Sequence, residues 1–195
     1  MRIASIALAL GAAHLMASAS AHASLVNVAL GKNAVSFGPL GGSAAALSTI
    51  TDGVFLPRST QWQTGTVWWT GVETSIVIEL GAGFNLVGAS VQADDNDAYI
   101  LEYHDIALNE WRLLWDVPNF DVFGWGMQTR PDPSDDAAVH LFDAAVLTDA
   151  VRFRATPGAG DGFNSVSEIQ LFTVPAPATM ALVGATGALA RRRRH

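Results

Sequence analysis

The chain has 195 residues, no cysteine, and 18 acidic against 11 basic residues, for a formal charge of −7. Without cysteine there is no disulfide, no thiolate metal ligand and no thiol nucleophile. The acidic balance argues against nucleic acid and anionic membranes as partners.

Residues 1–23 read as a secretory signal peptide. Arg2 supplies the positive start, residues 3–13 a short apolar stretch, and Ala21-His22-Ala23 the small-x-small pattern before a cut ahead of Ser24. The chain is expected to be exported across the inner membrane. Residues 24–172 then have the size of one domain. Five of the 11 basic residues (Arg2 and Arg191 to Arg194) sit in the end segments, so six face all 18 acids and the domain carries −12.

Within the domain, period-two alternation predicts strands. In residues 75–80, Ile76, Ile78 and Leu80 share one face. In residues 99–104, Tyr99, Leu101 and Tyr103 alternate with Ile100, Glu102 and His104. Residues 86–92, 111–115, 151–155 (with Arg152 and Arg154 outward) and 166–172 are further strands. Turn formers separate them: Gly81-Ala82-Gly83, Asp94-Asp95-Asn96-Asp97, Asp132-Pro133-Ser134-Asp135, and residues 158–162. The Asp94–Asp97 run reads as a solvated turn, because a helix–loop–helix calcium register needs glycine at its sixth position, where Tyr99 stands. The Ala-rich residues 137–147 are the one helical candidate. Many short strands with turns between them predict an all-β antiparallel sandwich or barrel.

The chain closes with Val174-Pro175-Ala176-Pro177, an apolar run over residues 180–190, and Arg191, Arg192, Arg193 and Arg194. Prolines break the preceding structure, and an arginine cluster tends to stay on the cytoplasmic side of a membrane. An uncharged stretch this short and rich in Ala and Gly makes a weak permanent anchor. Together with the signal peptide, the tail resembles the PEP-CTERM proteins of Gram-negative bacteria, although the central acid of the Pro-Glu-Pro motif is replaced by Ala176. That resemblance implies an exosortase-type sorting enzyme as partner, transient membrane insertion of the tail, and a final place at the cell surface or in the extracellular matrix.

Asn27-Val28-Ala29-Leu30-Gly31-Lys32, Ile50-Thr51-Asp52-Gly53, Thr60-Gln61-Trp62, residues 76–81 and Ser167-Glu168-Ile169-Gln170-Leu171-Phe172 follow one another in order. This succession resembles the discoidin (coagulation factor C-type) domain, a jelly-roll β-sandwich of the galactose-binding-like class. The resemblance implies a structural Ca²⁺, with carboxylates from Asp52 and Glu168 and backbone carbonyls near Lys32, Asn33 and Thr60. Ca²⁺ takes six to eight oxygens, and an Asp-Gly turn offers one on a tight bend.

All six tryptophans lie in the domain. Aromatic faces stack on the apolar C–H faces of sugars while carboxylates and amides take the hydroxyls. The expected ligand contacts are Trp125 and Trp68, with Arg130, Asp94 and Asn96 as hydrogen-bonding neighbours. Trp62, with Trp111 or Trp115, is expected in the core. Of the five histidines only His104 and His140 lie in the domain, and no Gly-x-Ser-x-Gly, His-Glu-x-x-His or phosphate loop is present. The favoured reading is a non-catalytic module binding extracellular polysaccharide. A matrix protein without a specific ligand and a small polysaccharide hydrolase are the alternatives.

Overall fold

The computed structural model describes residues 24–120, 124, 126–157 and 160–175. The predicted signal peptide, Trp125 and the tail beyond Pro175, including Ala176, Pro177 and Arg191 to Arg194, lie outside these residues. Among the described residues the elements are β1 (Val26–Asn27), β2 (Asn33–Phe37), a 3-10 turn (Leu47–Thr51), β3 (Val67–Thr70), β4 (Ser75–Asp94), β5 (Tyr99–Asp105), β6 (Glu110–Val117), β7 (Met127–Arg130), β8 (His140–Ala155) and β9 (Phe163–Thr173). Every pairing is antiparallel. The all-β expectation therefore holds.

β4 organises the molecule. Its first half pairs with β2 and the second half of β8, and β8 passes on to β5 and β6. Its second half pairs with β9 and β7. The predicted Gly81-Ala82-Gly83 turn is instead an irregularity within this single strand, where the β4–β8 register shifts between Glu79 and Phe84. Gly81 has φ +78°, so glycine absorbs the kink while the strand continues.

The apolar faces meet in one core. It contains Ile76, Ile78 and Leu80 from one half of β4, Leu86, Ala89 and Val91 from the other, and Val166, Ile169 and Leu171 from β9. Trp69, Tyr99 and Phe153 fill its centre, with Tyr99 stacked on Phe153 at 4.8 Å. Trp115 is buried as expected and stacks on His140 at 4.4 Å. Arg152 and Arg154 leave the core and share Glu102 at 2.7 and 3.1 Å.

The helix expected over residues 137–147 is not formed. A turn over residues 135–138 leads into β8, whose His140 and Leu141 pair with Ala89 and Gly88. The alanines favour helix locally, but Phe142 and Val146 pack against the core from an extended backbone. Tertiary pairing overrides the propensity.

Candidate functional site

β4 ends at Asp94, and the chain reverses through Asp95, Asn96 and Asp97 into β5. This reversal is not the solvated turn expected from its composition. Asp94 is 4% exposed, Asp95 1% and Asp97 0%. The cause is Arg130 at the end of β7, paired with Val91 of β4. Its guanidinium donates to the carbonyls of Ala93 (2.5 Å), Gln128 (2.9 Å), Asp94 (2.5 Å) and Pro118 (3.0 Å), with longer bonds to Asp95 and Asp97. Five N–H donors in a rigid fork suit a cluster of converging carbonyls. Arg130, expected as a ligand contact, is therefore fully buried and committed to the backbone.

A second loop packs beside this one. Ser59 N–H donates to the Met127 carbonyl at 3.0 Å, and Met127 N–H to the Thr60 carbonyl at 2.9 Å. Gly126, at φ +66°, permits the approach: a Cβ there would stand 2.3 Å from the Thr60 oxygen. The loop presents Ser59, Gln61 and Trp62. The turn before β9 adds Asp161, whose Oδ1 accepts from Phe163 N–H at 2.9 Å.

Between the three lies a cleft of about 250 Å³, lined by Ser59, Gln61, Trp62, Asp94, Asp95 and Asn96, and closed by Gly124, Gly126 and Asp161. Trp62 is half-buried, contrary to the core role expected for it. Trp68 meets it edge-on at 5.4 Å, and Phe163 packs against it at the same centroid distance. Trp68 thus backs Trp62, and its own indole N–H reaches Ser43 Oγ at 3.3 Å. Of the expected ligand contacts, Asp94 and Asn96 line the cleft. The cleft also presents Trp62, Gln61 and Asp161, which were not among the expected contacts, although Thr60-Gln61-Trp62 is legible as a motif.

The cleft is electrically unbalanced. Burial, then Asp95, pushes the Asp94 carboxyl up to about 7. Burial, then Asp94 and Asp161, pushes Asp97 up to about 7. Asp97 Oδ2 accepts from the Tyr99 hydroxyl at 3.2 Å, while its Oδ1 is buried without a hydrogen-bond partner.

The expected metal ligands separate into two groups. Asp52 and Glu168 come together, since Gly53 N–H donates to Glu168 Oε1 at 3.1 Å and the Asp52 charge acts on Glu168. The Lys32 carbonyl is adjacent, accepting from Thr51 Oγ1 at 2.9 Å. Glu168 is fully buried, its Oε2 has no partner, and burial followed by Asp52 pushes its carboxyl up to about 8. Asn33 instead donates its amide to Glu79 at 2.9 Å, and the Thr60 carbonyl is taken by Met127.

No family model and no curated protein matches the chain in sequence. Solved structures match it in fold. The family 32 carbohydrate-binding module from Streptococcus pneumoniae EndoD has a TM-score of 0.52 at 13% identity, over 75% of this chain and 98% of that one. The family 32 module from C. perfringens NanJ, in complex with galactose, gives 0.50 at 12%, over 76% and 98%. Chitosan-binding module 1 from a chitosanase/glucanase of Paenibacillus sp. IK-5 gives 0.50 at 16%, over 76% and 99%. The described domain has the galactose-binding-like fold of these carbohydrate-binding modules.

Proposed function

We propose that the domain is a non-catalytic glycan-binding module whose ligand occupies the cleft over Trp62. The observation that carries this reading is the half-buried Trp62, braced by Trp68 and Phe163 and ringed by Gln61, Asp94, Asn96 and Asp161. An apolar plate with polar groups at its margin suits a sugar ring, whose C–H face stacks while its hydroxyls hydrogen-bond. Neighbours of the same fold include a module seen with galactose and a chitosan-binding one, so the fold itself leaves the choice of sugar to local residues. Trp62→Ala is expected to weaken binding to the best ligand of a glycan panel at least about tenfold, the equivalent of about 1.4 kcal/mol. Unchanged affinity by calorimetry, or no binding across the panel, would favour a matrix protein without a ligand in this cleft.

We also propose a structural Ca²⁺ held by Glu168 and Asp52, completed by the Lys32 carbonyl. The buried, unpartnered Oε2 of Glu168 supports this. Two adjacent carboxylates that repel one another suit a hard cation.

The export signal and the arginine-ended tail support sorting to the cell surface or matrix, where extracellular polysaccharide would be the partner. Intact-mass analysis from the native host is expected to give a polypeptide starting at Ser24 and ending near Pro175. A mass retaining Arg191 to Arg194 would overturn exosortase processing.

A further inference from the structure

We infer that the Trp62 cleft selects glycans bearing a free amino group, such as 2-amino-2-deoxy sugars, over their N-acetylated and acidic counterparts. This deepens the glycan-binding reading and rests on it.

The domain's few cations are engaged away from the cleft. Arg152 and Arg154 are held by Glu102, Arg112 by Asp105, and Arg130 by backbone carbonyls; Lys32 lies over the Phe84 ring, and Arg58, next to Ser59 in the chain, acts on Asp132. None of them lines the cleft, whereas Asp94, Asp95 and Asp161 do. Asp97 adds a fourth carboxyl immediately behind. Its unpartnered Oδ1 is 0% exposed and points at the Gly160–Asp161 wall, occupying the space a Cβ at Gly160 would fill, 1.6 Å away. Arg130 acts on Asp94 and Asp97 by charge, but its N–H groups are spent on backbone carbonyls, so ionising these buried carboxyls carries a desolvation cost that a bound cation would relieve.

Two kinds of cation could provide that relief, a metal ion and an organic ammonium. A metal ion would use the carboxylates alone and leave Trp62 without a role. The cleft instead sets an indole beside its carboxylates. An amino sugar uses both, its ring face on Trp62 and its ammonium in charge-assisted hydrogen bonds to the acids. Acetylation removes the charge, and a uronic acid reverses it.

The test is calorimetric titration of the full-length protein at pH 6.5 and low salt with a glucosamine tetramer, its fully N-acetylated form, and a galacturonic acid tetramer. The free-amine form is expected to bind at least about tenfold tighter than the acetylated one, a ratio that shrinks in 0.5 M NaCl. The uronic acid is expected not to bind. Asp161→Asn, at an exposed position, and Asp94→Asn should each reduce the ratio, the free-amine form losing more affinity than the acetylated one. Trp62→Ala should weaken both forms. Equal binding of the two forms, or a ratio indifferent to both Asp variants, overturns the amine selectivity and leaves the glycan reading standing. Failure of all three tetramers and of a wider neutral glycan panel overturns both. Ca²⁺ binding that is lost in Asp161→Asn would assign the cleft to a metal and overturn the amine reading.

Discussion

Arg130→Met is expected to destabilise the domain by about 3–5 kcal/mol, the cost of breaking a buried charged network by removing one partner. Methionine fills much of the same volume, so the loss isolates the hydrogen bonds from the packing. The carbonyls of Ala93, Asp94, Gln128 and Pro118 would each lose a short charged donor inside the protein. A buried acceptor left unsatisfied costs about 1–3 kcal/mol. Asp94 and Asp97 would also lose the cation that opposes their upward shift. Arg130→Lys should recover only part of the loss, because one ammonium has three donors and no planar fork. Urea denaturation followed by tryptophan fluorescence measures both variants. An Arg130→Met midpoint within about 1 kcal/mol of the parent would show that the carbonyl cluster does not depend on this side chain.

The same residue explains what could not be read from sequence. Strand positions with clean alternation, such as Ile76-Ile78-Leu80 and Tyr99-Leu101, are legible because period two maps directly onto the two faces of a strand. The joining of residues 75–80 and 86–92 into one strand was not, since Gly81-Ala82-Gly83 has the composition of a turn and only the β8 partner shows the ladder continuing. The burial of the Asp94–Asp97 reversal was also illegible. It depends on a guanidinium 33 to 37 positions away in sequence. Trp62 followed the same logic in reverse: the Thr-x-Trp motif marks the loop, but whether its indole faces core or cleft is set by Trp68, Phe163 and the Gly126 approach. The meeting of Asp52-Gly53 with Glu168 was legible only through the order of motifs, because the contact spans 115 positions.

In the absence of added metal, the domain is expected to be most stable near pH 5 and to lose stability steadily toward pH 8. Asp94 and Asp97 titrate at about 7 and Glu168 at about 8 in the folded protein, each above its unfolded value near 4. Between those limits the native state binds more protons than the unfolded chain, so unfolding free energy falls as pH rises. Stability from these groups is fully present below pH 4 and is lost on passing 7 to 8. Opposing groups set the acid limit. Glu102 is held low by Arg152 and Arg154 against its burial, and half-buried His140 is shifted downward by desolvation, so both contribute stability that disappears as pH falls. Each of these groups on its own corresponds to about 3 kcal/mol lost between pH 5 and 8, so the combined fall should be at least that, or several degrees in Tm. Glu168→Gln removes one titrating group and should flatten the upper part of the curve. Millimolar Ca²⁺ should raise Tm at pH 8 and do little at pH 5, where a proton already occupies Glu168. That gain should vanish in Glu168→Gln. A Ca²⁺ response of equal size in the variant would move the metal elsewhere, and a parent curve that rises from pH 5 to 8 would show that these carboxylates are ionised and matched in the native state.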